Sequence, residues 1–104
     1  MVTKVFAVFD TKVGAYQAPF FMVSAGAAVR AFSDAVNDRQ TMLSRHPKDY
    51  ILYLIGEFDD VAGDLKTIKP PTHLGHGSDF IEVKTGNSSM GDVDLTMTKE
   101  ATNA

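Results

Sequence analysis

The 104-residue chain has no cysteine and no tryptophan. Without cysteine there is no disulfide framework, no thiolate zinc site and no thiol nucleophile, which suits a reducing compartment. It has no apolar run approaching the roughly 20 residues of a membrane span. The opening MVTKVFAVFD meets charge too soon, at Asp10 and Lys12, to read as a signal peptide, so a mature cytosolic chain is expected. A basic excess, the usual footprint of a nucleic-acid binder, is also missing. The eight basic residues before Asp79 are matched by eight acidic ones, and the net charge of −3 arises from Asp79 onward. Any phosphate binding must therefore use a local patch rather than the field of the whole molecule. Neither a P-loop nor a dinucleotide fingerprint occurs.

What is present is organised around Tyr50–Ile68, YILYLIGEFDDVAGDLKTI. Tyr50–Phe58 is rich in aromatic and branched residues and reads as a strand. Asp59–Asp64 supplies turn chemistry, with aspartates that cap their own backbone and a glycine free to take positive φ. Leu65–Ile68 reads as the returning strand. Strict alternation sends Tyr50, Leu52, Leu54 and Phe58 to one face and Ile51, Tyr53 and Ile55 to the other. Both faces are apolar.

Before this hairpin, Thr3–Phe9 reads as a strand, Asp10–Gln17 as a loop and Phe20–Val23 as a short edge strand after Pro19. Ser24 is a good N-cap. Ala25, Ala28, Val29, Phe32, Ala35 and Val36 follow at helical spacing, and Asn37–Gln40 ends the helix. Thr41–Asp49 reads as a connector with room for one helical turn. After the hairpin, Lys69–Ser78 reads as irregular because of its prolines and glycines. Asp79–Lys84 alternates as a short late strand, and Thr85–Ala104 is a polar, acidic tail. The expected architecture is α+β: a small antiparallel sheet of three to four strands with one main helix on one face. It forms one domain over residues 1–84, with a tail over 85–104. A chain with one helix leaves the second face of the sheet open. Ile51, Tyr53 and Ile55 are therefore expected at a homodimer interface.

Residue types that could carry chemistry are sparse. His73 and His76 supply two ligands where zinc needs three or four, so no metal site is expected. Asp59 and Asp60 are explained by the turn, and with Glu57 they lack calcium-loop spacing. Ser44, His46 and Asp49 lack the context of a nucleophile elbow. No enzyme and no cofactor is implied. Lys12, Arg30, Arg39, Arg45 and Lys48 are the candidate phosphate contacts, with His46 beside them, and Tyr16 and Phe20 are candidates for stacking on unpaired bases.

Several stretches occur together and in order: VFAVFDTKVGAYQAPFF, GAAVRAFSDAVND, HPKDYILYLIGEFDDVAGDL and a downstream PP followed by HLG. Over residues 4–75 the chain resembles the nonstructural protein of gokushovirus-type microviruses, small single-stranded DNA phages. The resemblance implies a non-capsid viral protein made in the host cytoplasm and acting on the viral genome. Its partners would be single-stranded DNA and the viral replication or packaging proteins. The rival reading is a protein–protein adaptor that binds an initiator, a prohead or a host factor without touching DNA. The neutral charge and the two-sided apolar strand favour that rival.

Overall fold

A computed structural model describes residues 1–82. The long first strand, β1 (Val2–Asp10), is the spine of one antiparallel sheet. Its inner edge pairs with β4 (Tyr50–Asp59), which pairs in turn with β5 (Asp64–His76). Its outer edge is shared by β2 (Ala15–Tyr16), alongside Phe9 and Asp10, and β3 (Phe20–Met22), alongside Lys4–Phe6. Helix α1 (Ala25–Val36) covers one face, and a short helix α2 (Met42–Arg45) leads into a 3-10 turn at Pro47–Asp49. The architecture is α+β, as expected, with five strands rather than three to four.

Local chemistry sets the turns. In both hairpins an aspartate is followed four residues later by a glycine at positive φ: Asp10 with Gly14, and Asp59 with Gly63. Asp10 Oδ1 accepts from the N–H groups of Lys12 and Val13, and Asp59 Oδ1 accepts from those of Val61 and Ala62. Each glycine N–H then donates to the carbonyl of its aspartate at 2.8 Å. The first turn therefore returns the chain as β2, where the sequence reads as plain loop. Ser24 caps α1 by accepting from Ala27 N at 3.1 Å. Asn37 ends the helix, and its side-chain N–H₂ donates to the carbonyls of Ser33 and Phe80.

The core lies between α1 and the sheet. Phe6, Val8, Tyr50 and Leu52 pack against Ala28, Phe32 and Val36, with Phe6 and Leu52 wholly buried. Burial raises the pKa of the Tyr50 hydroxyl, and Asp10 and Asp49 add to the effect.

Three irregularities separate the observed sheet from an ideal one, the smallest being the extra residue Leu74 in β5 between the Leu52–Gly75 and Tyr53–His73 pairs. Along β1, Val5 faces Gly56 and Phe6 faces Leu54, so Ile55 is an extra residue in β4. Such a bulge reverses the alternation beyond it. Phe58 consequently leaves the face of Tyr50, Leu52 and Leu54. It joins Phe21 on the opposite face, with ring centroids 6.0 Å apart. Along β5, Leu54 faces Thr72 and Gly56 faces Thr67, so Ile68–Pro71 bow out of the ladder opposite that same Ile55. Here the sequence reading is corrected: Lys69–His76 is strand, not irregular chain. Pro70 and Pro71 are tolerated because β5 is an edge strand and both prolines lie in the bowed segment. A second correction concerns Asp79–Lys84. Gly77–Phe80 is a 3-10 turn, with the Phe80 ring against Phe32 at 5.8 Å. Ile81 and Glu82 have no strand partner among the described residues, and Glu82 N–H donates to Asn37 Oδ1. The expected tail, residues 85–104, lies outside the described residues.

Gly56 is buried in β4 opposite Thr67 of β5, and a Cβ there would stand 2.6 Å from the Lys66 carbonyl oxygen. Gly56→Ala is expected to lower the unfolding free energy by roughly 1–3 kcal/mol through overpacking against backbone. A urea titration reads this as an earlier midpoint. An unmoved midpoint would mean that the ladder slides freely at the double irregularity.

Candidate nucleic-acid interface

The face without the helix carries a row of rings. Phe9 of β1 meets Tyr16 of β2 with centroids 4.8 Å apart. Tyr16 meets Tyr53 of β4 at 5.7 Å, Tyr53 meets His73 of β5 at 5.7 Å, and His73 meets His76 at 5.2 Å. The ladder dictates this row, because residues directly opposite each other share a face. Phe9 stands opposite Tyr16 and Ile51, Ala7 opposite Tyr53, and Tyr53 opposite His73. Tyr16 and His73 are exposed and Tyr53 is half-buried. His73 Nε2 and His76 Nδ1 lie 3.4 Å apart.

Beside the row the sheet curls into an apolar groove of about 470 Å³. Ala7 and Ile55 form its floor, Tyr16 and Pro19 one wall, and Ile68, Pro70 and Pro71 the other. The bowed segment of β5 makes that second wall. A smaller apolar hollow continues from it past Pro19 and Ile55 to Phe21 and Leu65, both more than half exposed.

The candidate basic residues do not form one patch. Lys12 lies in the β1–β2 turn and Lys48 in the 3-10 turn before β4, both exposed. These two turns are tied together: Thr11 N–H and Oγ1 both donate to the Asp49 carbonyl, at 2.9 and 3.0 Å. Lys12 and Lys48 therefore share the end of the sheet that also holds Phe9, Tyr16 and His76. Arg45 and His46 are exposed on and after α2, next along the chain. Arg39 lines a separate cleft with Glu82, behind the end of α1. Arg30 is exposed on the helix, whose inward stripe is Ala28, Phe32 and Val36. Phe20 stacks on Phe6 at 5.7 Å, on the helix side of the sheet, so it and Tyr16 occupy opposite faces. Of the residues expected at a dimer seam, Ile51 is buried by its own chain, whereas Tyr53 and Ile55 are half-buried.

Sequence reasoning missed Phe9 and the groove, and it weighed His73 and His76 only as metal ligands, not as members of an aromatic row. His73 reaches Tyr53 only because four residues of β5 bow out beforehand, and no short-range pattern signals that. Among the described residues no helix is long and apolar enough to cross a membrane.

No curated protein and no solved structure matches the chain. A family model described as Phage ORF5 protein matches residues 3–80, three quarters of the chain. The match runs from the first strand to the last 3-10 turn and so takes in the whole sheet, the helix and the aromatic row. The chain belongs to the Phage ORF5 protein family.

Proposed function

We propose that this phage protein is a non-enzymatic accessory protein of the microvirus type, which binds single-stranded viral DNA on its helix-free face during genome synthesis and packaging. The aromatic row carries the reading. Unpaired bases stack on exposed rings with little regard to sequence, and Tyr16, Tyr53 and His73 offer rings from β2, β4 and β5 on one face of the sheet. Lys12 and Lys48, with Arg45 nearby, supply phosphate contacts at one end of the row. Two or three such contacts give single-strand binding a log–log salt slope of about −1.4 to −2.1. Fluorescence anisotropy with a labelled single strand at several salt concentrations measures it. A slope near zero, or no binding at low salt, rejects the DNA role.

The apolar groove favours a second reading, a protein–protein adaptor for the replication or packaging machinery. Pull-down from infected cells with and without nuclease separates the two, because an adaptor keeps its partner after nuclease treatment. Association of two copies belongs to either reading. Stacking over Tyr53 and Ile55 would cover the aromatic row, whereas pairing along the free edge of β5 leaves it open, and we favour the edge.

A further inference from the structure

Among the described residues the sheet ends at β5, and the first part of that edge is open. From Asp64 to Thr67 the strand pairs regularly with β4, and every residue of this stretch is exposed. Leu65 lies on the helix-free face, 58% exposed, beside the hollow that holds Phe21. Asp64 and Lys66 flank it and point to the other face, because side chains alternate along a strand. Neither is in an ion pair among the described residues. Asp64 stands opposite Asp59, a like charge. Lys66 stands opposite Glu57, whose carboxylate is already paired with Lys4 at 3.2 Å.

The outward N–H and C=O groups of an edge strand are a template for another strand. Charge usually guards such an edge, because like charges placed directly opposite each other destabilise a pair. Here the order of the charges does the reverse. In a twofold antiparallel pair, the residue on the axis faces its own copy, and the residues on either side of it face each other. With the axis at Leu65, Asp64 faces Lys66 of the second copy, and Lys66 faces Asp64. Moving the axis one residue either way sets Asp64 or Lys66 against itself. Of the registers centred within Asp64–Lys66, only that on Leu65 is complementary.

The open stretch is also bounded. Past Thr67, Ile68–Pro71 leave the ladder, and Pro70 and Pro71 have no N–H to donate. Before Asp64, the turn closed by Gly63 N–H on the Asp59 carbonyl takes the chain away from the edge. A short segment that matches only itself gives a closed dimer rather than a growing sheet.

We infer that two copies of this chain join edge to edge through Asp64–Thr67, antiparallel about Leu65, with Asp64 of each copy against Lys66 of the other. The two Leu65 side chains then lie side by side on the helix-free face. Both helices fall on one side of the joined sheet and both aromatic rows on the other, where one single strand of DNA can meet them together. This specifies the edge association favoured above, and the pairing itself does not rest on the DNA reading.

Sedimentation velocity of the full chain, over a concentration series at low salt, reads the pairing. The parent is expected to show a concentration-dependent dimer. Asp64→Lys sets lysine against lysine, and Lys66→Asp sets aspartate against aspartate. Each alone is expected to weaken self-association by roughly tenfold or more, because two attractive cross-strand pairs become repulsive. Both positions are exposed, so the circular dichroism of each variant is expected to match the parent. Mixed in equal amounts, the two variants are expected to form a heterodimer about as tight as the parent dimer, since every lysine again meets an aspartate. Both substitutions in one chain are expected to restore the homodimer at the parent's net charge of −3. A parent that stays monomeric throughout the series would overturn the inference. So would single variants that associate like the parent, which would assign the dimer to another face, such as that of Tyr53 and Ile55. A mixture no more associated than its components would overturn it as well. No DNA enters this measurement, so its failure leaves the DNA reading untouched.

Discussion

Phe6→Ala is expected to lower the unfolding free energy by about 3–5 kcal/mol. Phe6 is wholly buried at the centre of the spine strand, flanked in the sheet by Phe20 and Leu54. Its ring lies 5.7 Å from that of Phe20 and belongs to the cluster formed with Val8, Phe32 and Leu52. Truncation removes the transfer energy of a benzyl group. It also leaves a void that cannot close, because β1 is held by ladders on both edges. A domain of this size has roughly 5–15 kcal/mol to lose, so the variant sits near the unfolding threshold at ambient temperature. Urea denaturation followed by circular dichroism measures the change. Val61→Ala is the control: Val61 is 86% exposed in the β4–β5 turn, and its truncation is expected to shift stability by no more than about 0.5 kcal/mol. A Phe6→Ala loss close to that of the control would show that the helix–sheet cluster is not the core.

The sequence made this core legible because nothing interrupts its periodicities. Ser24 and the alanine-rich helical stripe point to the packing face of the helix, and the structure buries Ala28, Phe32 and Val36 of that stripe. The β4–β5 turn was legible as well, through its aspartates and Gly63, whereas the β1–β2 turn, built the same way on Asp10 and Gly14, reads as plain loop. What failed was the assumption of unbroken alternation across Ile55. One extra residue in β4 sends Phe58 to the other face, and four bowed residues in β5 carry the strand on to His76. The prolines that argued against a strand shape the groove instead. The candidate interface was half legible for the same reason. Tyr16, Tyr53 and Lys12 stand before or beside regular pairing, whereas His73 joins them only through the irregular register. Phe20, taken for a stacking residue by its type alone, belongs to the core side because it pairs opposite Phe6.

The aromatic row gives the second large effect. Tyr53→Ala is expected to weaken single-strand binding by about 1–3 kcal/mol, roughly five- to 150-fold, if one base stacks on that ring. Tyr16→Ala is expected to fall in the same range. The two rings touch edge to face, centroids 5.7 Å apart, so removing one also frees the other to reorient. The double variant is accordingly expected to lose less than the sum of the single losses, with a coupling of about 0.5–1.5 kcal/mol. Phe20→Ala separates stacking from stability: its ring is committed to Phe6, so it is expected to lower the urea midpoint while leaving DNA affinity of the folded protein unchanged. Lys12→Ala, by contrast, is expected to make the salt slope less steep by about 0.7 without touching the stacking contribution. Anisotropy titrations of these variants at fixed and at varied salt resolve the pattern. If Tyr16→Ala and Tyr53→Ala bind like the parent while Phe20→Ala does not, the DNA lies on the helix side and the row of rings serves another partner.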